Sequence, residues 1–321
     1  IEEAWGDLMA CHRLLRHMSA APLGQNGQSA RSSEIELCEK ELKLLHWTKP
    51  DAKQVERMRA SFATLPPVTN LAEVIDYGSR YRFLDAVCLL NRRGAKALEQ
   101  VFAELPFGGE QAAFQQAIAD KQFDWNEPLR LGNEWFDKQV VTCRLTDRTK
   151  RAEALQALQI DLEEMSREPP SPGLLGRIFQ SKKNEQSSLS RRVVGSMLQI
   201  FECDVSQALD VADQQAVHAA FLETGVALAA YRSAKGSYPA RLDELTPKYI
   251  VKLPSDLYSD GNKPLRYHRQ ASGYFLYSVG PDGLDEAGGE SPNYLESDDI
   301  AVNISDERQN SEVEPVDGWI R

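Results

Sequence analysis

The chain has 321 residues, 42% of them hydrophobic and 26% charged, with a formal net charge of −11. That length favours two domains over one. The acidic balance argues against a nucleic-acid partner, because phosphate backbones are bound by basic faces, and no apolar run reaches the roughly 18 residues that a membrane-spanning helix needs.

Residues 2–18 place Trp5, Leu8, Met9, Leu15 and Met18 at near-helical spacing. His12 and His17 lie five apart, on different helix faces, and read as ordinary surface positions. The Gly-, Ser- and Asn-rich stretch 19–32 reads as a loop. Ser33 is the expected cap of a helix over 34–47, Pro50 ends that helix, and Asp51 caps the next one, 52–64. A strongly apolar helical tract follows over 71–103, interrupted near Arg92-Arg93-Gly94. Helices are expected over 108–122, over 125–143 behind an Asp124 cap, and over 146–166 behind Thr146. The Pro-, Ser- and Gly-rich segment 168–190 marks the domain boundary. From Ser190 to Lys235 an apolar stripe recurs at three, four or seven residues, so one long helix is predicted, ended by Gly236 and Pro239. A short helix over 240–246, strand-like segments at Leu265–Gln270 and Tyr274–Val279, and a third at Asp299–Ile304 complete the pattern. The tail 305–321 carries five acids and two arginines and reads as frayed.

Cys11, Cys38, Cys88, Cys143 and Cys203 are dispersed, without a Cys-x-x-Cys pair, and read as buried small side chains instead of a disulfide framework or zinc site. The segment 282–299, DGLDEAGGESPNYLESDD, holds seven acids and no base. Like charges this dense repel unless solvated or neutralised. Calcium is the obvious neutraliser, a hard ion taking carboxylate and carbonyl oxygens from flexible loops. Strands pin both ends of this loop, so Asp282 can meet Asp298 or Asp299. From composition alone a solvated acidic turn and a calcium site both stay open.

The strings AAYRSAKGSYPARLDELTPKYIVKLPSD, PLRYHRQASGYFLYSVGPDG and SDDI resemble the C-terminal domain of the major pseudopilin of type II secretion systems. The resemblance spans residues 225–304. It implies a helix leading through a Gly-x-Tyr-Pro turn into a three-stranded sheet whose last acidic loop binds calcium. Carried over by position, it implies a metal site at Val279 (through its carbonyl), Asp282, Asp298 and Asp299. The whole chain, with DWNEPLRLGNEWFDKQVV and the Pro-rich step at 168–173, also resembles a group of uncharacterised planctomycete envelope proteins. Those join a helical region to a pseudopilin-like end, often behind an N-terminal membrane anchor.

No phosphate-loop, dinucleotide, nucleophile-elbow or His-Glu-x-x-His motif occurs, and the five histidines are scattered. The expected fold class is α+β: an all-α domain over 1–188, a pseudopilin-like domain over 189–304 with a long helix on a three-stranded antiparallel sheet, and the acidic tail 305–321. The expected function is that of a non-catalytic structural or interaction protein of the cell envelope or periplasm, with a protein partner and calcium in the acidic loop. A membrane is expected only through a segment missing ahead of Ile1, and a cytoplasmic location stays open. The alternative is an enzyme, or a small-molecule or peptide binder, with its site in or beside the helical domain. A binder predicts a groove lined by Trp125, Trp135 and Phe136, for which plain core packing is the simpler reading.

Overall fold

A computed structural model describes residues 1–21, 25–97, 124–166, 190–199 apart from 192, 205–289 and 297–306. The expected helix over 108–122, the boundary segment 168–189 and most of the tail lie outside them. The fold is α+β, mostly helical with one small antiparallel sheet. Among the described residues, no helix is long and apolar enough to cross a membrane.

The elements are α1 (Glu2–Ser19), α2 (Gln25–Thr48), α3 (Ala52–Phe62), α4 (Leu71–Glu73), α5 (Arg80–Arg93), α6 (Asn126–Cys143), α7 (Arg148–Ser166), α8 (Val205–Lys235), β1 (Arg266–Arg269), β2 (Tyr274–Ser278) and β3 (Ile300–Ile304). They belong to two compact units. One comprises Ile1–Leu15, Arg31–Pro66 and Asp213–Arg321; the other comprises Arg16–Ala30 and Pro67–Ala212.

Local chemistry explains most helix ends. Asp51 accepts the Gln54 N–H at 2.8 Å while the Gln54 side chain accepts the Asp51 N–H at 2.9 Å, a complete capping box for α3. Gly236, with φ of 81°, closes α8 by donating to the Arg232 carbonyl at 2.7 Å. Two expectations fail. Helix α2 begins at Gln25, so Ser33 lies inside it instead of capping it. Asp147, not Thr146, caps α7, its Oδ1 accepting the Lys150 N–H at 3.1 Å. In the α2 case the Gly- and Ser-rich composition is outweighed by burial: Ala30 and Arg31 are 2% and 1% exposed.

In the unit that contains the sheet, Trp5 and Met9 of α1, Leu42 of α2, Phe221 of α8 and Leu276 of β2 share one core. Helix α8 comes so close to α2 at Gly225 that a Cβ there would lie 2.1 Å from Leu42 Cδ2. The sheet order is β1-β2-β3, all antiparallel, with Arg266 opposite Tyr277 and Leu276 opposite Val302. All five residues of β2 are buried.

The other unit has its own core, with Phe83 and Leu90 of α5 packed among Trp135 and Phe136 of α6 and Leu162 of α7. Trp135 and Phe136 are 2% and 3% exposed, so they fill the core and do not line a groove. A π-helical segment, Val74–Ser79, joins α4 to α5.

Two polar expectations are corrected. His12 is 1% exposed, not a surface residue. Of the cysteines expected to be buried, Cys38 is, but Cys11 and Cys88 are exposed.

Candidate metal centre

The acidic loop begins where β2 ends. Its base is fixed by Asp256, which is 3% exposed. Asp256 accepts the Ser278 hydroxyl at 2.5 Å, the Val279 N–H at 3.1 Å and the Tyr258 N–H at 3.1 Å. Three donors on one carboxylate satisfy a group that would otherwise be costly to bury. Val279 is thereby anchored, with its side chain 1% exposed in the core.

Past Val279 the chain turns at Gly280, whose φ is 67°. A Cβ here would lie 2.3 Å from the Asp298 carbonyl oxygen and 2.6 Å from Asp298 Oδ1. Glycine is therefore required both by the left-handed backbone and by the approach of Asp298. The Asp282 N–H donates to Asp298 Oδ2 at 2.9 Å, closing the loop across sixteen residues. The loop then folds back over the sheet. A Cβ on Gly288 would lie 2.4 Å from the Phe275 ring, and the Tyr277 hydroxyl donates to Asp285 Oδ1 at 3.0 Å. The Gly288 and Glu286 N–H groups donate to Asp299 Oδ2 at 2.7 and 3.1 Å.

The five described acids of the loop sort into two groups. Asp285 is paired with Arg266 at 3.0 Å. Burial raises its carboxyl pKa, but Arg266, the Ala287 N–H and the Tyr277 hydroxyl outweigh that and hold it below the usual range. Asp282, Glu286, Asp298 and Asp299 have no lysine or arginine partner among the described residues. Ligand oxygens of Asp282, Glu286 and Asp298 lie within 4.8 Å of one another. Burial first, then the charges of Asp282 and Asp299, push the Glu286 carboxyl upward. Burial likewise pushes Asp299 upward against the Gly288 N–H. Glu286 Oε2, Asp298 Oδ1 and Asp299 Oδ1 are all shielded from solvent without a hydrogen-bond partner.

Of the residues the sequence nominated, the structure brings Asp282 and Asp298 together. It sets Asp299 beside them on the backbone of the 286–288 turn and fixes Val279 at the loop's base through Asp256. Glu286, which the sequence did not single out, completes the triad. Calcium suits this donor set: oxygens only, mixed carboxylates, on a loop rich in backbone carbonyls. Zinc suits it less, for want of nitrogen or sulfur.

The second unit contains an open cleft lined by Gln139, Gln156, Gln159, Gln199 and Ser206 among leucines. Among the described residues, none that lines it is ionisable.

No protein-family model matches this chain, no curated protein matches its sequence, and no solved structure matches its fold.

Proposed function

We propose that this chain is a non-catalytic structural or interaction protein of the cell envelope whose acidic loop, 282–299, binds calcium. The observation carrying the calcium reading is the set of three shielded carboxylate oxygens, on Glu286, Asp298 and Asp299, that lack a partner. Buried acceptors without donors are rare in native proteins, and a divalent cation supplies what they lack. Calcium held there ties the 280–288 segment to the start of β3, which stiffens the loop as a surface for another protein. The non-catalytic reading rests on the sequence, in which no catalytic motif is recognisable.

Thermal unfolding in excess calcium and in EGTA tests the site. A ligand that binds only the folded chain stabilises it by about 2.7 kcal/mol at a hundredfold excess over Kd. The increase is expected in the parent chain and lost in Asp282→Ala and Gly280→Ala. If the parent chain unfolds identically in calcium and EGTA, the loop is a solvated acidic turn and the reading fails.

A further inference from the structure

A second set of metal-ligand side chains lies deep inside the unit that contains the sheet, and the described residues of the acidic loop contribute nothing to it. His12 projects from α1, and Glu34, Cys38 and Glu41 from α2. Positions 34, 38 and 41 are spaced by four and three residues, so they line one helix face. All four are buried, at 1%, 3%, 4% and 0% exposed. Donor atoms of His12, Cys38 and Glu41 lie within 4.8 Å of one another. His12 Nε2 is 3.0 Å from Glu41 Oε2, and His12 Nδ1 is 2.9 Å from Glu34 Oε1. The Gln215 amide donates to the other Glu34 oxygen.

We propose that His12 Nε2, Cys38 Sγ and the Glu41 carboxylate form a buried transition-metal site suited to zinc. Imidazole nitrogen, thiolate and carboxylate are zinc's three protein donors. Tetrahedral zinc, at roughly 2.0–2.3 Å from each ligand, needs those ligands about 3.3–3.6 Å apart, so the His12–Glu41 pair, now at 3.0 Å, opens by a few tenths of an ångström to admit the ion while the cluster as a whole already lies within 4.8 Å. The fourth position falls to the second Glu41 oxygen or to a water.

The surroundings fit a ligating histidine. A metal-bound imidazole usually donates its other ring N–H to a carboxylate, which fixes the tautomer. Glu34 is placed to receive that proton on Nδ1, leaving Nε2 free for the metal, and Gln215 holds Glu34 in turn. Zinc takes cysteine as the thiolate and histidine as the neutral imidazole, so binding releases the Cys38 thiol proton and leaves the Nδ1 proton on His12 toward Glu34. The site is closed to solvent, which makes the metal a pin between α1 and α2, not a catalyst.

The test is a cobalt(II) titration of the full metal-free chain. Cobalt replaces zinc in such sites, and a cysteine ligand gives a thiolate-to-cobalt charge-transfer band in the near ultraviolet. One equivalent of cobalt is expected to produce that band, zinc to abolish it, and excess calcium to leave it, because thiolate and imidazole do not suit calcium. Cys38→Ser is expected to remove the band. Glu34→Gln, a positioning variant, should keep it while weakening affinity about 10- to 100-fold. A parent chain without the band at excess cobalt overturns the proposal, as does a band that survives Cys38→Ser. Where the serine variant fails to fold, the combination Cys11→Ser, Cys88→Ser, Cys143→Ser and Cys203→Ser leaves Cys38 as the sole thiol. A band retained there supports the site, and a band lost overturns it.

Discussion

In the metal-free chain, His12 sits where two opposing effects meet. Burial disfavours its charged form, but hydrogen bonds and charges from Glu34 and Glu41 outweigh that and raise its pKa to about 9. Arg31, whose charge acts on Glu34, the Gln215 amide that donates to Glu34 and Cys38, which lies within reach of His12 and Glu41, belong to the same buried polar cluster. A raised histidine pKa stabilises the fold fully below the unfolded value of 6.5, and that contribution fades as pH rises toward 9. With chelator present, stability to urea is therefore expected to fall between pH 6.5 and 9. His12→Gln, which keeps polarity without a titratable proton, should flatten that slope. A slope unchanged by the substitution would show that another group titrates. None of this was legible from α1 alone. Trp5, Met9 and His12 share a helix face by their spacing of four and three, but a polar side chain on an apolar stripe has no partner visible in its own helix. The partners are on α2, and only tertiary contact brings them together. The acidic loop was more legible, because a run of acids without bases announces uncompensated charge wherever it folds. Glu286 was missed there, since its place depends on how the 285–289 turn lies over Phe275.

At the level of elements, the Asp51 and Gly236 ends, written in local chemistry, were read correctly, the α7 cap was placed one residue early at Thr146 instead of Asp147, and the start of α2, set by packing, was missed. The Asp51 cap and the Gly236 stop need only their own few residues. The start of α2 depends on burial of Ala30 and Arg31, which no local pattern carries. The two expected caps, Asp51 and Ser33, thus differ in consequence. Asp51→Ala is expected to lower stability by about 1 kcal/mol, the usual loss for a side-chain cap. Ser33→Ala should change it by no more than a few tenths, because an exposed mid-helix serine gives way to a better helix former. Chemical denaturation of the two variants side by side decides the matter, and equal losses would restore Ser33 as a cap. The third strand was legible from the alternation of Ile300, Val302 and Ile304, and the first two from their strand-like segments flanking the Gly273 turn. A Cβ on Gly273 would lie 1.7 Å from the Ile304 carbonyl oxygen, so that glycine is fixed by the closeness of β3 as well as by the turn.

The described residues form two cores, and both candidate metal sites draw their ligands from one unit. The α+β class followed from the helix and strand patterns together with the pseudopilin resemblance. What periodicity could not reveal is that Ile1–Leu15 and Arg31–Pro66 share a core with the sheet, because a helical stripe shows that a face is buried without showing against what. The grouping has a measurable consequence. Leu42→Ala, beside Gly225 in the shared core, is expected to lose about 2–5 kcal/mol and to weaken both metal responses. Phe83→Ala, in the other core, is expected to lose about 3–5 kcal/mol while leaving the calcium shift and the cobalt band in place at temperatures where the chain stays folded. Loss of both responses in Phe83→Ala would show that the sites depend on that unit too.

The interleaving of the units also bears on how the chain is made. Synthesis runs from the N-terminus, and domains generally fold as their residues emerge. The first two helices leave the ribosome long before α8 and the sheet exist, so Trp5, Met9 and Leu42 wait with their apolar faces uncovered. His12, Cys38 and Glu41 are all among these early residues. On the assignment made above, a metal ion can fasten α1 to α2 while most of the protein is still being translated. The nascent hairpin is then held in register until its late partners arrive.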